Sequence, residues 1–503
     1  MKHLTRYFFG TVASQVFAFA FLVVFSKILA VEDFGALTLI LNVVALLSGF
    51  VALGLPQAVV RFFPHYEEQA SEAQKRFYGT VFGGGLLLGC GALCGLLLVV
   101  KLFPLPSFII SEERWCWATV AVLFGVLIEI AMCVLRAQHA SSAFNILLGL
   151  RKMLLFTFGF VLLMGFSKHV LLLLQCFCLA EASVCVLAML CIVRGNRSAL
   201  SIRIDGALFR NFVAYGWPHA VVISGVYLLS VGDRFVVHGL LSAKDTGVFV
   251  AGSTIASALA SVLTRPTNLF LFPTYSRMCA KQGVQRTGQY LSNLILQYCV
   301  VAVLLGILLS SIAPWVIPIM TSAEYASAAG IFPLLLVGQL VSGLINFSAS
   351  GMYMSQRPYG IAITALGAAL LNVFLNMYLI PHYGLYGAGI ASICAMTANV
   401  VVSGVISRAW LPIPYPWWDL AKVGASGALG WSVGHLIVPH VQHWFLAALV
   451  LAVEILIYGV AIMALSKRLR SVWGQWIVHG IHAIRTRSRQ TLDMPATHLR
   501  VGL

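Results

Sequence analysis

The chain is predicted to be an all-α polytopic membrane protein of about fourteen transmembrane helices. Three observations predict it. Hydrophobic residues make up 60% of the 503 positions, and Asp, Glu, Lys and Arg together only 10%, against roughly 25% in a soluble domain. The apolar residues gather into runs long enough to cross a hydrocarbon core about 30 Å thick. The basic residues between those runs are abundant on alternate sides, as membrane sidedness requires.

The first seven runs lie near residues 7–30, 36–60, 78–100, 115–136, 143–166, 169–193 and 213–238. The second seven lie near 247–272, 290–313, 331–353, 358–380, 385–408, 418–438 and 444–466. The opening stretch from Phe8 to Leu29 is too long for a signal-peptide core and has no small-residue cleavage site, so it reads as a retained helix. The longest external loops, near 101–114 and 314–330, are far below the size of an independent domain.

With the N-terminus placed in the cytoplasm, the inside segments collect Arg61, Lys75, Arg76, Arg136, Arg194, Arg197, Arg203, Arg210 and the basic residues of the tail. The outside segments hold only Lys27, Lys101, Arg114, Lys168 and Lys244. Both termini are therefore expected inside. The formal charge of +16 is then a signature of sidedness, and no nucleic-acid partner is expected. Beyond the last run, Leu469, Val472, Trp473, Trp476, Ile477 and Ile481 recur at helical spacing among basic residues, predicting a basic amphipathic helix on the membrane surface. Many of the eleven cysteines sit inside apolar runs as small hydrophobes, and no metal-ligand spacing or cofactor motif occurs.

Two motifs recur six runs apart. Asp33-Phe-Gly35 opens the second run and Asp245-Thr-Gly247 the eighth; Phe63-Pro64-His65-Tyr66 closes the second and Phe272-Pro273-Thr274-Tyr275 the eighth. An even number of intervening helices makes the repeats parallel. The expected organisation is a six-helix lobe in 1–200, a second in 201–410, an appended helix pair in 411–466 and a cytoplasmic tail in 467–503.

The stretch FSKILAVEDFGALTLILNVVALLSGFVALGLPQAVVRFFPHY at 25–66 resembles the opening helix pair of polysaccharide-biosynthesis flippases of the Wzx type. So do YGWPHAVVISGVYLLSVGDRFVVHGLLSAKDTGVFVAGSTIASAL at 215–259 and YGLYGAGIASICAM at 383–396. The resemblance implies membership of the superfamily that also holds multidrug exporters and the lipid II flippase. It implies a bacterial inner-membrane protein that carries an oligosaccharide on a polyprenyl pyrophosphate between leaflets by alternating access. It implies no covalent chemistry and no cofactor. A polysaccharide polymerase and a chain-length regulator are the protein partners such a role suggests. A cation-coupled multidrug or other lipid exporter of the same fold is the alternative within the superfamily. A membrane polysaccharide polymerase or ligase is the alternative from another class, but it usually carries a large external loop that this chain lacks.

A charge near the bilayer centre costs roughly 2.5 to 3.5 kcal/mol on insertion scales, so charges within runs are candidate functional groups. Arg151 and Lys152 lie about 12 Å into the fifth run and, with Arg61 and Arg265, are candidate ligands of the pyrophosphate. Pro266 next to Arg265 is expected to open a polar pocket. Glu129 and Glu181 are candidates for taking up the coupling ion, H+ or Na+. Their structural alternatives are a pair with Arg136 for Glu129, and a pair with Arg151 or Lys152 for Glu181. Asp233 and Arg234 are adjacent, point in different directions and read as gate residues between the lobes. Asn372 and Asn376 share a face and read as contacts between helices.

Overall fold

The computed structural model describes residues 16–67, 69–102, 112–165, 169–201, 203–355, 358–437 and 444–465. The amphipathic tail expected at 467–503 lies outside the described residues. Every described element is helical: α1 (Val16–Ile28), α2 (Val31–Val51), α3 (Leu55–Glu67), α4 (Ser71–Leu102), α5 (Glu112–Ala137), α6 (Ser141–Gly165), α7 (Val170–Gly195) and α8 (Gly206–Leu240). There follow α9 (Ala243–Met320), α10 (Ala328–Ser342), the short α11 (Ile345–Ser348) and α12 (Ser350–Met354), then α13 (Pro358–Tyr383), α14 (Leu385–Ser407), α15 (Trp417–Ile437) and α16 (Trp444–Leu465). Helices are the form lipid permits, because no water in the hydrocarbon core satisfies an open backbone. Ten of the described helices are long and apolar enough to cross a membrane.

Several boundaries have visible causes. The Asp205 carboxylate accepts from the amides of Ala207 and Leu208 at the start of α8. Ser242 and Asp245 form a reciprocal capping box at the start of α9, so one aspartate of the repeated motif serves as an N-terminal cap. The eighth and ninth runs form one continuous helical stretch, broken at Gly283, whose φ of 81° leaves the helical region and suits a residue without a Cβ. The second run is divided: α2 stops at Val51, and Leu53 (φ 45°) and Gly54 (φ 72°) turn the chain before α3. The expected loop at 314–330 is largely helical, since α9 continues to Met320. Its remaining turn is held by Tyr325, fully buried with its ring 6.2 Å from that of Phe34.

Residues 1–287 and 313–412 make one compact unit. Within it α5 packs against α2, α3, α4 and α7, and α8 against α13, α2 and α3. Small residues permit the close approaches. Gly85 and Gly89 of α4 face Ile130 and Leu123 of α5, and Ala365, Ala368 and Ala369 of α13 pack with Leu229 of α8 and Ala395 of α14. Asn372 and Asn376, expected to join helices, instead bond to each other within α13 at 3.0 Å.

The described residues of 288–312 and 413–465 make the second unit. Leu296, Val300 and Ile307 form a core with Val423 of α15 and with Tyr458 and Ile462 of α16. The Tyr458 hydroxyl donates to the Val300 carbonyl at 2.8 Å. Glu454, fully buried, accepts from the Ser311 hydroxyl at 2.5 Å, and Gly434 leaves the space the carboxyl group occupies.

Candidate transport site

The two repeated motifs meet. Gly35 of α2 lies against Gly247 of α9 so closely that a Cβ on Gly35 would stand 2.8 Å from the Gly247 amide nitrogen, and a Cβ on Gly247 would collide with the Val31 carbonyl. A second glycine pair closes the seam nearer its basic end. The Gly54 turn rests on Gly216 of α8: a Cβ on Gly216 would come within 2.6 Å of the Gly54 backbone, and one on Gly54 would strike the Gly216 carbonyl oxygen. Between these contacts the Tyr227 hydroxyl of α8 donates to Asn42 Oδ1 of α2 at 3.1 Å. Backbone contact at both ends and one hydrogen bond between them therefore join helices of α1–α7, called here the first set, to helices of α8–α14, the second set.

Four charged residues from three helices gather in the first set. Arg151 Nε of α6 lies 2.7 Å from Glu181 Oε1 of α7, with the carboxylate only 2% exposed and the arginine 29%. The second oxygen of Glu181 is buried without a hydrogen-bond partner. Lys152 lies within electrostatic reach of both members of the pair. Glu129 of α5 is within reach of Arg151, Glu181 and Arg136, and its side chain is exposed. The pair of Glu129 with Arg136, raised from sequence as the structural alternative, does not form; Arg136 donates to Cys133 Sγ at 3.1 Å. The Arg151 pair with Glu181, raised from sequence as the structural alternative, does form.

The second set is arranged differently. Asp233 Oδ1 accepts from the Arg234 amide at 2.9 Å and Oδ2 from the Ser392 hydroxyl of α14 at 3.1 Å. The two side chains form no ion pair with each other, and Arg234 Nε is buried with no hydrogen-bond partner. Arg234 is within electrostatic reach of Tyr227, two helical turns away on the same face. A polar line thus runs from Arg234 through Tyr227 to Asn42 across the seam. Arg265 is half-buried in α9, and Arg61 is exposed on α3. Among the described residues neither has a carboxylate within ion-pair distance. Pro266 offers no amide to the Val262 carbonyl one turn back, so an acceptor is freed beside an uncompensated cation.

Sequence reasoning did not single out Asn42, Tyr227 or Ser392. Asn42 and Ser392 were detectable as polar residues within apolar runs. Their partners lie 185 and 159 residues away, so the pairings were not.

The fold is similar to those of two solved membrane proteins. It is similar to the lipid II flippase MurJ in an inward closed conformation, with a TM-score of 0.69 and 14% identity over 91% of this chain and 98% of that one. It is also similar to a multidrug-resistance transporter of the MATE family in an inward-facing conformation, with a TM-score of 0.58 and 14% identity over 79% and 94% of the two chains. An uncharacterised membrane protein of Methanocaldococcus jannaschii is 22% identical over 423 residues, 78% of this chain and 80% of its own length. The family model for polysaccharide biosynthesis proteins matches residues 2–279. The chain belongs to that family.

Proposed function

We propose that this protein is a flippase carrying a polyprenyl-pyrophosphate-linked oligosaccharide from the cytoplasmic to the outer leaflet of a bacterial inner membrane, by alternating access, for cell-surface or exopolysaccharide assembly. What supports the reading is Arg265: a half-buried guanidinium within an apolar stretch of α9, next to Pro266, with no carboxylate in ion-pair distance among the described residues. Such a charge is costly in the bilayer and calls for an anion, and a planar guanidinium matches pyrophosphate oxygens through paired hydrogen bonds. Arg61 on α3 is the second open cation and serves the same anion nearer the cytoplasm.

Glu181 and Glu129 supply the ion-coupling site. Arg151 occupies one oxygen of Glu181, and the other oxygen and the exposed Glu129 carboxylate remain to take H+ or Na+. Lys152 and Arg151 balance these acids, so their role shifts from direct pyrophosphate ligands to holding the coupling site. Asp233 and Arg234 act at the seam, through Ser392 and Tyr227, as the gate. A multidrug exporter would need a cavity dominated by acidic groups; Arg61 and Arg265 favour an anionic cargo instead.

The test is mass spectrometry of lipid-linked intermediates in a strain lacking the protein. Expression of the wild-type chain should clear undecorated lipid-linked units and restore surface polysaccharide. Equal levels of intermediates with and without the protein would reject the reading.

A further inference from the structure

At the basic end of the first helix set, the ends of α3, α5 and α7 and the starts of α4 and α6 enclose a cavity of about 330 Å3. None of the residues discussed above as transport-site candidates lines it. Its volume is at the lower end of the range of small-molecule sites. Phe63, Tyr66, Phe77 and Tyr78 form its aromatic wall, with ring centroids 5.0 Å apart for Tyr66 and Phe77 and 6.0 Å for Phe63 and Phe77. Tyr78 is 2% exposed.

The polar groups are fixed by one another, and each keeps some hydrogen-bonding capacity. Gln138 Nε2 donates to the Tyr78 hydroxyl at 2.8 Å, which leaves the hydroxyl hydrogen to be given elsewhere and the Gln138 carbonyl oxygen to accept. Asn196 donates to Gln74 Oε1 at 2.8 Å, and Gln74 in turn is anchored to the backbone carbonyls of Glu67 and Gln69. The Glu67 carboxylate stands at the rim, within electrostatic reach of Tyr78. Among the described residues lining the cavity there is no lysine or arginine.

This combination has a chemical meaning. The partly accessible Tyr66 ring, backed by the buried Phe63, Phe77 and Tyr78, can cover the apolar C–H face of a pyranose ring, while amides, a phenol and a carboxylate engage its hydroxyls as both donors and acceptors. The one charged group on the described lining, Glu67, disfavours an anion. We infer that this cavity is a sugar-binding pocket, holding an uncharged sugar unit by Gln138 and Glu67 against the Tyr66 ring, with the Tyr78 hydroxyl positioning Gln138. The inference rests on the proposed flippase function in one respect: it places the pocket on the face where a glycan hangs before transport. It assigns the glycan a docking site separate from the cationic site of its pyrophosphate.

The experiment uses the full chain in lipid nanodiscs with methyl glycosides of glucose, galactose, rhamnose and N-acetylglucosamine as probes, read by saturation-transfer NMR. At least one glycoside should receive saturation, and the transfer should fall at least fivefold in both Tyr78→Phe and Gln138→Leu while persisting in Arg265→Ala. A measurement without substitution accompanies it: Cys191 lines the cavity and is exposed, so the bound glycoside should slow its labelling by a maleimide, read at that peptide by mass spectrometry, and leave Cys394 unaffected. No saturation with any of the four, transfer unchanged in both variants, or displacement by tetramethylammonium instead of protection by sugar would overturn the pocket. Sugar binding in a protein that flips nothing would reject the transport reading and leave the pocket standing. Flipping without sugar binding would do the reverse.

Discussion

The two helix sets treat their buried charges in opposite ways. In the first, Arg151 and Glu181 meet at 2.7 Å with Lys152 and Glu129 in reach, so the cluster carries two positive and two negative groups and is nearly self-contained. In the second, Asp233 is satisfied by a hydroxyl and a backbone amide rather than by a cation, and Arg265 has no acid at all. A balanced cluster with one open carboxylate oxygen is suited to exchanging a small cation. An unbalanced arginine is suited to an anionic substrate. In the proposed function the contrast assigns coupling to the first set and cargo to Arg265, and each half of that assignment can be broken.

The largest effect is expected at the balanced cluster. Replacing Glu181 with Ala strands the Arg151 charge and should lower stability by about 3–5 kcal/mol, measured by thermal unfolding of the purified protein. Adding Arg151→Met to that variant should recover most of the loss, because the pair is then removed rather than halved. A double variant as unstable as the single one would show that the cluster is not self-contained.

Next comes Arg265→Ala. It breaks no ion pair, so the melting temperature should stay within a degree or two of wild type. Transport should fall by tenfold or more, in keeping with the about 1.5–3 kcal/mol of a hydrogen bond to a charged group. Arg265→Lys should retain part of the activity, keeping the charge but losing the paired geometry.

Two smaller changes probe the seam that joins the sets. Gly54→Ala places a side chain at φ 72°, costing about 1–2 kcal/mol from the left-handed conformation alone, and pushes a Cβ into the Gly216 carbonyl; reduced stability and slower transport should appear together. Tyr227→Phe removes only the bond to Asn42 and should cost about 0.5–1.5 kcal/mol. A Tyr227→Phe protein that transports faster would indicate that this bond restrains opening.

The helical class was legible because a chain that is 60% hydrophobic in regular long runs has one main solution. The meeting of Gly35 with Gly247 was half legible: the repeat marked both glycines, but nothing in one sequence says that repeated motifs touch. The break after α2 was hidden, since Gly54-Leu55-Pro56 within an apolar run is equally consistent with a continuous helix. The charged residues were identifiable one by one through the cost of burying them. Their partners were not, because pairing depends on how α6 is rotated towards α7 and α8 towards α14. A few tens of degrees of rotation decide whether Arg151 faces Glu181 or a wet cavity, and hydrophobic periodicity in fully apolar helices does not fix that angle.

The central claim is that the protein moves an anionic lipid-linked glycan across the membrane and that Arg265 engages it. Spheroplasts treated with membrane-impermeant periodate report the fraction of lipid-linked glycan exposed on the outer face. Wild-type cells should show oxidised glycan, and cells with equal amounts of the Arg265→Ala protein should show intact glycan held inside. Equal oxidation in both, or in cells without the protein, would contradict the account.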